Sequence, residues 1–192
     1  MNLTMIEVRL HGRGGQGVWA ASRLLALAAM YAGKNAQSFP FFGPERSGAP
    51  VTAFARISDK PIRIHASIER PDIVVVIDRT LINRALEGLK ENGILVTDSS
   101  ESPEELRKKF NIPPSVKICT VNARDLAIKI LGRAITNTAL LGAFCKATDE
   151  KFVKIDHIIE AIKEFFGERY SEDIINKNIE LVREAYKQAV VG

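Results

Sequence analysis

The chain of 192 residues has only two cysteines, Cys119 and Cys145, which stand far apart in apolar surroundings. No CxxC pair occurs, and His11, His65 and His157 share no metal-ligand spacing. Zinc ribbons and iron–sulfur clusters need closely spaced thiolates or imidazoles, so we expect no such site to be held by this chain alone. Two free thiols in apolar contexts are typical of a reducing compartment.

Long hydrophobic runs and a dense positive charge are also missing. The longest apolar stretch, residues 18–32, is interrupted by Ser22 and Arg23 and is shorter than the roughly 20 residues that span a bilayer. The N-terminus shows no secretory signal pattern, so we expect a cytoplasmic protein without membrane contact. The net charge of +4 is too small to indicate a nucleic-acid partner, and a hydrophobic fraction of 46% fits a globular protein.

Segments typical of strands and helices alternate along the whole chain. Apolar alternation or short apolar runs predict strands at 6–12, 35–39, 72–78, 93–98 and 116–121. Helical periodicity and capping signals predict helices at 18–32, 80–90, 123–131 and 137–147, one after the capping box of Ser102 and Glu105, and two near the C-terminus, the last starting at Ser171.

Residues 51–57 and 62–68 look like the two strands of an inserted β-hairpin, with the turn between them. The order of elements predicts one α/β domain over residues 1–192. We expect a Rossmann-like, doubly wound mixed sheet with the inserted hairpin and C-terminal helices.

The most distinctive motif is HGRGGQG at residues 11–17, between the first predicted strand and the first predicted helix. Its glycines fit the G-x-G-x-x-G pattern in the strand–turn–helix context that this pattern requires. Backbone N–H groups at such a turn form an anion site with the positive end of the helix dipole. Arg13 adds a side chain suited to phosphate. The candidate binding residues here are Gly12, Arg13, Gly14, Gly15, Gln16 and Gly17.

Three interpretations of this turn remain open. The dinucleotide fingerprint needs an acidic residue near the end of the second strand, where this chain has Asn35, Gln37 and Ser38, so binding of NAD or FAD is disfavoured. No Gly-Lys-Ser/Thr follows, so a P-loop is not indicated. A glycine turn used only for close packing, and an anion site without a dinucleotide, both fit. The second is favoured.

The loop FPFFGPERSGAP, residues 39–50, is the second unusual feature. Loops of this length are usually functional or disordered, and its phenylalanines argue against disorder and for an anchor or an interface. Glu45, Arg46 and Ser47 are therefore candidates for contact with a ligand or partner, the alternative being a surface Glu–Arg pair. Asp78 and Asp98 end two predicted strands, and we interpret both as caps of turns or helices.

Together these segments resemble the gamma subunits of the 2-oxoacid:ferredoxin oxidoreductases. The resemblance covers at least residues 6–148 and rests on blocks in the family's order and spacing: HGRGGQG, QSFPFFGPERSGAPVTAFARI, PDIVVVID and ITNTALLGA. The form GPERSGAP is similar to gamma subunits that act on pyruvate or on branched-chain 2-oxoacids. The resemblance thus implies pyruvate synthase, or an enzyme that shares its gamma subunit with a 2-ketoisovalerate oxidoreductase.

The resemblance also implies a reaction and a division of labour. The reaction is oxidative decarboxylation of pyruvate with coenzyme A to acetyl-CoA and CO2, with two electrons passed to ferredoxin. Thiamine diphosphate, Mg²⁺ and iron–sulfur clusters are expected in alpha, beta and delta-type partner subunits, since this chain has neither the thiamine motif nor a cysteine set.

For this chain the resemblance implies a part in coenzyme A binding and assembly, with no catalytic residue of its own and no cofactor held by it alone. We expect the isolated chain to be inactive and to bind neither nucleic acid nor membrane. Two other classes remain open, a stand-alone NAD-type Rossmann oxidoreductase and a pure scaffold subunit.

Overall fold

The computed structural model of the chain describes residues 5–41, 47–167 and 169–192. The strands are β1 (Met5–Arg13), β2 (Asn35–Pro40), β3 (Pro50–Ser58), β4 (Ile73–Val76), β5 (Ile94–Asp98), β6 (Lys117–Val121) and β7 (Val190–Val191). The α-helices are α1 (Val18–Tyr31), α2 (Ile82–Leu86), α3 (Pro103–Phe110), α4 (Ala123–Leu131), α5 (Asn137–Ala147), α6 (Ile155–Gly167) and α7 (Glu172–Gln188).

The strands form one seven-stranded sheet in the order β2-β3-β1-β4-β5-β6-β7. Neighbours among β1, β4, β5 and β6 are parallel, whereas β3 is antiparallel to β1 and β2, and β7 is antiparallel to β6. The predicted α/β fold with a mixed sheet is confirmed. The direction of strand order reverses beside β1, and open α/β sheets bind ligands at such a point, beyond the carboxyl ends of the strands.

The predicted hairpin of residues 51–57 and 62–68 is wrong in its second strand, which is irregular. Both edges of β3 are already paired, with β1 on one side and β2 on the other, so β3 has no edge left for that segment. The segment instead crosses a face of the sheet, where the guanidinium of Arg56 donates to the carbonyl of Ala66 at 2.6 Å. The hairpin that does form joins β2 and β3.

The core lies on both faces of the sheet. On one face α1, α5, α6 and α7 contribute to a large cluster that includes Leu10, Leu24 and Phe144. On the other face α2 and α3 enclose a smaller cluster around Leu95 and Leu106. All four residues of β4 are buried, as the apolar run between two aspartates predicts. Both faces are therefore covered, and ligand access is left to the ends of the strands.

Local signals fix most helix ends. The capping box of Ser102 and Glu105 forms, Ser171 caps α7, and Gly33 follows α1 in the left-handed region with φ 75°. The second predicted helix is shorter than expected, since a 3-10 turn opens it and α2 ends before Gly88, whose φ is also 75°. β7 was not predicted. Among the described helices, none is long and apolar enough to cross a membrane.

Candidate functional site

The glycine turn, residues 12–17, links the carboxyl end of β1 to α1. Gly15 and Gly17 have φ values of 92° and 75°, in the left-handed region where a side chain is strained. Gly12 serves a different purpose, because a Cβ there would lie 2.6 Å from Cγ2 of Val18 and 3.3 Å from Cβ of Ile77. The glycines thus shape the turn and let α1 approach the end of β4 closely.

The N-termini of two helices meet at this turn. The side-chain amide of Asn137, the first residue of α5, donates to the carbonyl of Gly17 at 3.3 Å. The first hydrogen bond within α1 runs from the N–H of Ala21 to the same carbonyl, at 2.9 Å, so the preceding N–H groups have no partner inside the helix. Two positive helix ends therefore add at one place, which favours an anion.

The Arg13 side chain is held within the site by three hydrogen bonds to two segments, the turn after β4 and the end of the long loop. Its Nε donates to Oδ2 of Asp78 at 3.1 Å, its Nη2 to Oγ1 of Thr80 at 2.9 Å, and its Nη1 to the carbonyl of Gly48 at 3.2 Å. A guanidinium has five N–H groups, so one remains on each Nη. Arg13 can therefore offer two hydrogen bonds to a phosphate while it keeps its internal partners.

Asp78 is the centre of this network. Its Oδ2 accepts from Arg13 and, at 3.4 Å, from Nε2 of Gln16, and its Oδ1 accepts from the N–H and the hydroxyl of Thr80 at 3.0 and 2.6 Å. Partial burial opposes ionisation, but the hydrogen bonds from Thr80 and Gln16 and the charge of Arg13 hold the pKa of Asp78 below its ordinary value. The predicted capping role is confirmed at Thr80. The pairing with Arg13 was missed.

Asp98 also acts as a cap, although not for the helix that follows it in sequence. Its Oδ1 accepts the N–H of Arg124 in the first turn of α4, at 3.2 Å. Burial raises the pKa of Asp98, and the N–H groups of Arg124 and Ala123 oppose that shift. Asp78 and Asp98 both line a polar cleft of about 590 Å³ at the carboxyl ends of β4 to β6, which Gly15 borders.

The end of the long loop is joined to the glycine turn. The N–H of Gly14 donates to the carbonyl of Ala49 at 2.9 Å, and the N–H of Gly48 donates back to the carbonyl of Gly14 at 3.3 Å. Ser47, which is exposed, lies immediately before these contacts. Glu45 and Arg46 lie outside the described residues. The structure thus brings one end of the predicted loop site, with Ser47, to the glycine turn.

The aromatic residues that precede the loop pack on β3. The rings of Phe39 and Phe54 lie 5.0 Å apart between centroids, and those of Phe41 and Phe54 lie 6.4 Å apart. Phe41 keeps 51% of its surface exposed, whereas Phe54 is buried. Phe42 lies outside the described residues. Phe39 and Phe41 therefore anchor the start of the loop on β3, which is one of the two roles expected for the phenylalanines.

A groove of about 640 Å³ opens on the other side of the turn, between α1, α6 and α7. We call it the aromatic–basic groove, and its side chains include Trp19, Arg23, Arg133, Phe165, Arg169 and Tyr170. The guanidinium of Arg23 lies 5.2 Å from the ring centroid of Trp19 and 5.0 Å from that of Phe165. Trp19 and Tyr170 are each 51% exposed.

All the charged side chains that line the groove among the described residues are positive. Lys177 also lines it and pairs with Asp173 at 2.8 Å, but among the described residues no acidic side chain lines the groove or pairs with Arg23, Arg133 or Arg169. Sequence reasoning missed this groove, because its residues come from helices far apart in the chain. The one local signal was Trp19, a large aromatic residue at the start of α1.

His11 lies next to the turn but has no acid–base role there. It is 4% exposed, and its Nε2 accepts from Nε of Arg9 at 3.0 Å. Burial lowers the pKa of His11 to about 3, helped by the charges of Arg9 and Arg84. The imidazole is therefore neutral at pH 7 and serves as a packed hydrogen-bond acceptor.

Comparison with known proteins gives consistent matches over nearly the whole chain. A sequence model of the family described as pyruvate ferredoxin/flavodoxin oxidoreductase matches residues 7–188. The chain is 50% identical over 189 residues to the pyruvate/ketoisovalerate oxidoreductases common subunit gamma of Pyrococcus furiosus, with 97% of this chain and 98% of that protein covered. It is 44% identical over 186 residues to the pyruvate synthase subunit PorC of Methanothermobacter thermautotrophicus, with 96% of each covered.

Solved structures agree. The crystal structure of pyruvate oxidoreductase subunit PORC from Thermotoga maritima matches with a TM-score of 0.84 at 38% identity, covering 98% of this chain and 99% of that chain. These relatives are subunits of an oxidoreductase and match along nearly their full length. They confirm the family resemblance found in the sequence, and they do not support the stand-alone NAD-type enzyme or the pure scaffold.

Proposed function

We propose that this chain, which belongs to the pyruvate ferredoxin/flavodoxin oxidoreductase family, is the gamma subunit of a multisubunit 2-oxoacid:ferredoxin oxidoreductase. The complex converts pyruvate and coenzyme A to acetyl-CoA and CO2 and reduces ferredoxin. Branched-chain 2-oxoacids are a second substrate class, in line with the shared gamma subunit of Pyrococcus furiosus.

The redox and carbanion chemistry belongs to other subunits in this proposal. Thiamine diphosphate, Mg²⁺ and iron–sulfur clusters would be held by alpha, beta and delta-type partners. The described residues of this chain do not fit a cluster, because Cys119 and Cys145 are buried and burial raises the pKa of both thiols. We place the complex in the cytoplasm, where two unpaired thiols stay reduced.

The contribution of this chain is to bind coenzyme A at the glycine turn and the aromatic–basic groove. The observation that carries this proposal is the meeting of two helix N-termini beside a groove that is both aromatic and cationic. Coenzyme A has a pyrophosphate, which suits the N–H groups and positive helix ends at the turn. It also has an adenine ring and a 3′-phosphate.

The adenine and the 3′-phosphate match the groove. Trp19 and Tyr170 expose ring surface on which a base can stack. Arg23, Arg133 and Arg169 line the groove, and a guanidinium suits a phosphate because it can donate two parallel hydrogen bonds. We also assign the loop residues Glu45, Arg46 and Ser47 to the proposed site, with Arg46 as a further phosphate ligand, because Ser47 lies directly before the segment that bonds to the glycine turn.

The test uses the assembled complex and the rate at which it reduces ferredoxin or a viologen dye with pyruvate and coenzyme A. Arg23→Gln removes one groove cation, and Arg183→Gln removes an exposed cation from α7 that lines neither cavity. Loss of one charge-assisted hydrogen bond to a phosphate should raise the KM for coenzyme A about tenfold or more in Arg23→Gln. The KM for pyruvate and the values for Arg183→Gln should stay within about twofold of the parent.

The two halves of the site are tested separately. Arg13→Met and Arg46→Met address the turn and the loop in the same assay. If Arg23→Gln, Arg13→Met and Arg46→Met all leave the KM for coenzyme A unchanged, this chain does not bind coenzyme A. If only Arg23→Gln has no effect, the groove is not part of the site and the turn remains.

A further inference from the structure

Asp78 receives more hydrogen bonds than a capping role requires. One carboxylate oxygen serves Thr80 in the turn after β4, while the other serves Arg13 and Gln16 in the glycine turn. Gln16 in turn accepts the backbone N–H of Arg13 through Oε1 at 2.7 Å. The carboxylate therefore holds both the side chain of Arg13 and the residue that fixes the backbone of Arg13.

The same network reaches the long loop. Arg13, directed by Asp78, donates to the carbonyl of Gly48, and the backbone of Gly14 bonds with Gly48 and Ala49. A change in the direction of the Arg13 side chain would thus release one of the contacts that join the loop to the turn. Asp78 follows β4 and belongs to neither of these segments, and the pairing of β1 with β4 brings it beside them.

We propose that Asp78 is a positioning residue for coenzyme A binding, acting through Arg13. It directs the two remaining N–H groups of the Arg13 guanidinium, and the turn around them, toward the ligand phosphate. The proposal rests on the proposed function of the glycine turn.

The chemistry of the side chain explains why an aspartate stands here. An ionised carboxylate is acceptor-only on both oxygens and can serve all four donors at once. An asparagine of the same size has one acceptor and one donor group. Its oxygen can accept either from Thr80 or from Arg13 and Gln16. Its NH2 group then faces the remaining donors and cannot accept from them. Asp78→Asn therefore breaks the positioning while the volume is kept.

The chain offers a matched control at the other end of the same strand. Asp72 precedes β4 as Asp78 follows it, and it accepts from the N–H of Glu7 at 2.8 Å and from Nζ of Lys90 at 2.9 Å. It is bonded to backbone and to a cation, as Asp78 is, but it touches no residue of the glycine turn. Asp72→Asn thus reports the general effect of neutralising a bonded aspartate beside β4.

The experiment measures kcat and both KM values in the assembled complex, with assembly checked by size-exclusion chromatography. We expect Asp78→Asn to raise the KM for coenzyme A about tenfold, while kcat and the KM for pyruvate stay within about twofold. Asp72→Asn should leave the KM for coenzyme A within about twofold. In an Arg13→Met background, Asp78→Asn should add less than about twofold, because the residue through which it acts is gone.

The outcomes separate this inference from the proposed function. If Arg13→Met raises the KM for coenzyme A but Asp78→Asn does not, or if the two effects multiply, Asp78 does not act through Arg13 and the inference is wrong. If neither variant changes that KM, the coenzyme A role of the turn fails and the inference fails with it.

A milder variant covers the case in which Asp78→Asn does not assemble. Thr80 is exposed, and Thr80→Val removes hydroxyl contacts with both Asp78 and Arg13 without touching the core. It should raise the KM for coenzyme A about threefold with kcat unchanged. An unchanged KM in an assembled Thr80→Val complex would overturn the inference.

Discussion

Replacement of Gly17 by alanine measures how much the close contact between the start of α1 and Asn137 of α5 constrains position 17. Gly17 has φ 75°, and an added Cβ would lie 2.5 Å from Nδ2 and 3.1 Å from Cγ of Asn137. Gly33, at the other end of α1, also has φ 75° but has nothing within 4 Å of an added Cβ. The two substitutions therefore share the backbone strain and differ only in the collision with Asn137.

The expected magnitudes follow from these distances. A left-handed alanine costs about 1–2 kcal/mol, partly offset by the stiffer unfolded chain, so Gly33→Ala should lower the free energy of unfolding by about 1 kcal/mol. Gly17→Ala must also displace the Asn137 side chain and break its hydrogen bond to the Gly17 carbonyl, which adds about 1–2 kcal/mol. For a chain of this length, the midpoint should fall by about 3 °C in Gly33→Ala and about 7 °C in Gly17→Ala.

Thermal and urea unfolding of the purified chain, followed by circular dichroism, measures both values. The double variant Gly17→Ala/Asn137→Ala removes the obstacle, so the alanine at position 17 should then cost only about as much as Gly33→Ala. Equal destabilisation by Gly17→Ala and Gly33→Ala would refute the reasoning. It would mean that glycine is required at position 17 only because of its positive φ, and that the Asn137 side chain leaves room for a Cβ there.

Two further substitutions test buried groups near β1. The pKa of His11 is about 3 in the folded chain and near 6.5 when unfolded, so the unfolded state binds the extra proton as pH falls below 6.5. The free energy of unfolding should then fall by about 2 kcal/mol between pH 6.5 and 5, and His11→Gln but not the exposed His65→Gln should abolish this slope in urea titrations. Arg56, whose side chain is 1% exposed, donates to Glu7 at 3.0 Å, so Arg56→Met should destabilise the chain by about 3 kcal/mol. Lys34→Met, which breaks a more exposed ion pair with Asp59, should lower the free energy of unfolding by less than about 1 kcal/mol. Equal losses in Arg56→Met and Lys34→Met would contradict the argument that burial makes the Arg56–Glu7 pair costly to break.

Most elements could be predicted because their signals are local. The capping box at Ser102 needs only residues three positions apart, and the apolar run from Ile73 to Ile77 needs only its own composition. The hairpin error has the opposite cause. Residues 62–68 have the apolar–polar alternation of a strand, but a strand also needs a neighbouring strand with an unpaired edge. The edge of β3 that this segment would need is paired with β2.

The candidate site divides in the same way. The glycine turn could be predicted because its motif lies within six consecutive residues and indicates both the turn and the helix that follows. The pairing of Arg13 with Asp78 joins residues 65 positions apart and follows only from the pairing of β1 with β4. The aromatic–basic groove likewise combines α1 with α6 and α7, so no window of sequence contains it.

The sequence by itself determined the family, the alternation of strands and helices, and the place of the glycine turn, because each is encoded in contiguous residues. The tertiary structure decided what surrounds that turn. The order of strands set Asp78 opposite Arg13, and the packing of the C-terminal helices on α1 placed Arg169 and Tyr170 near Trp19. These contacts depend on how distant segments pair in the sheet and pack in the core. Neither the strand order nor the helix packing can be predicted from the local pattern of one segment.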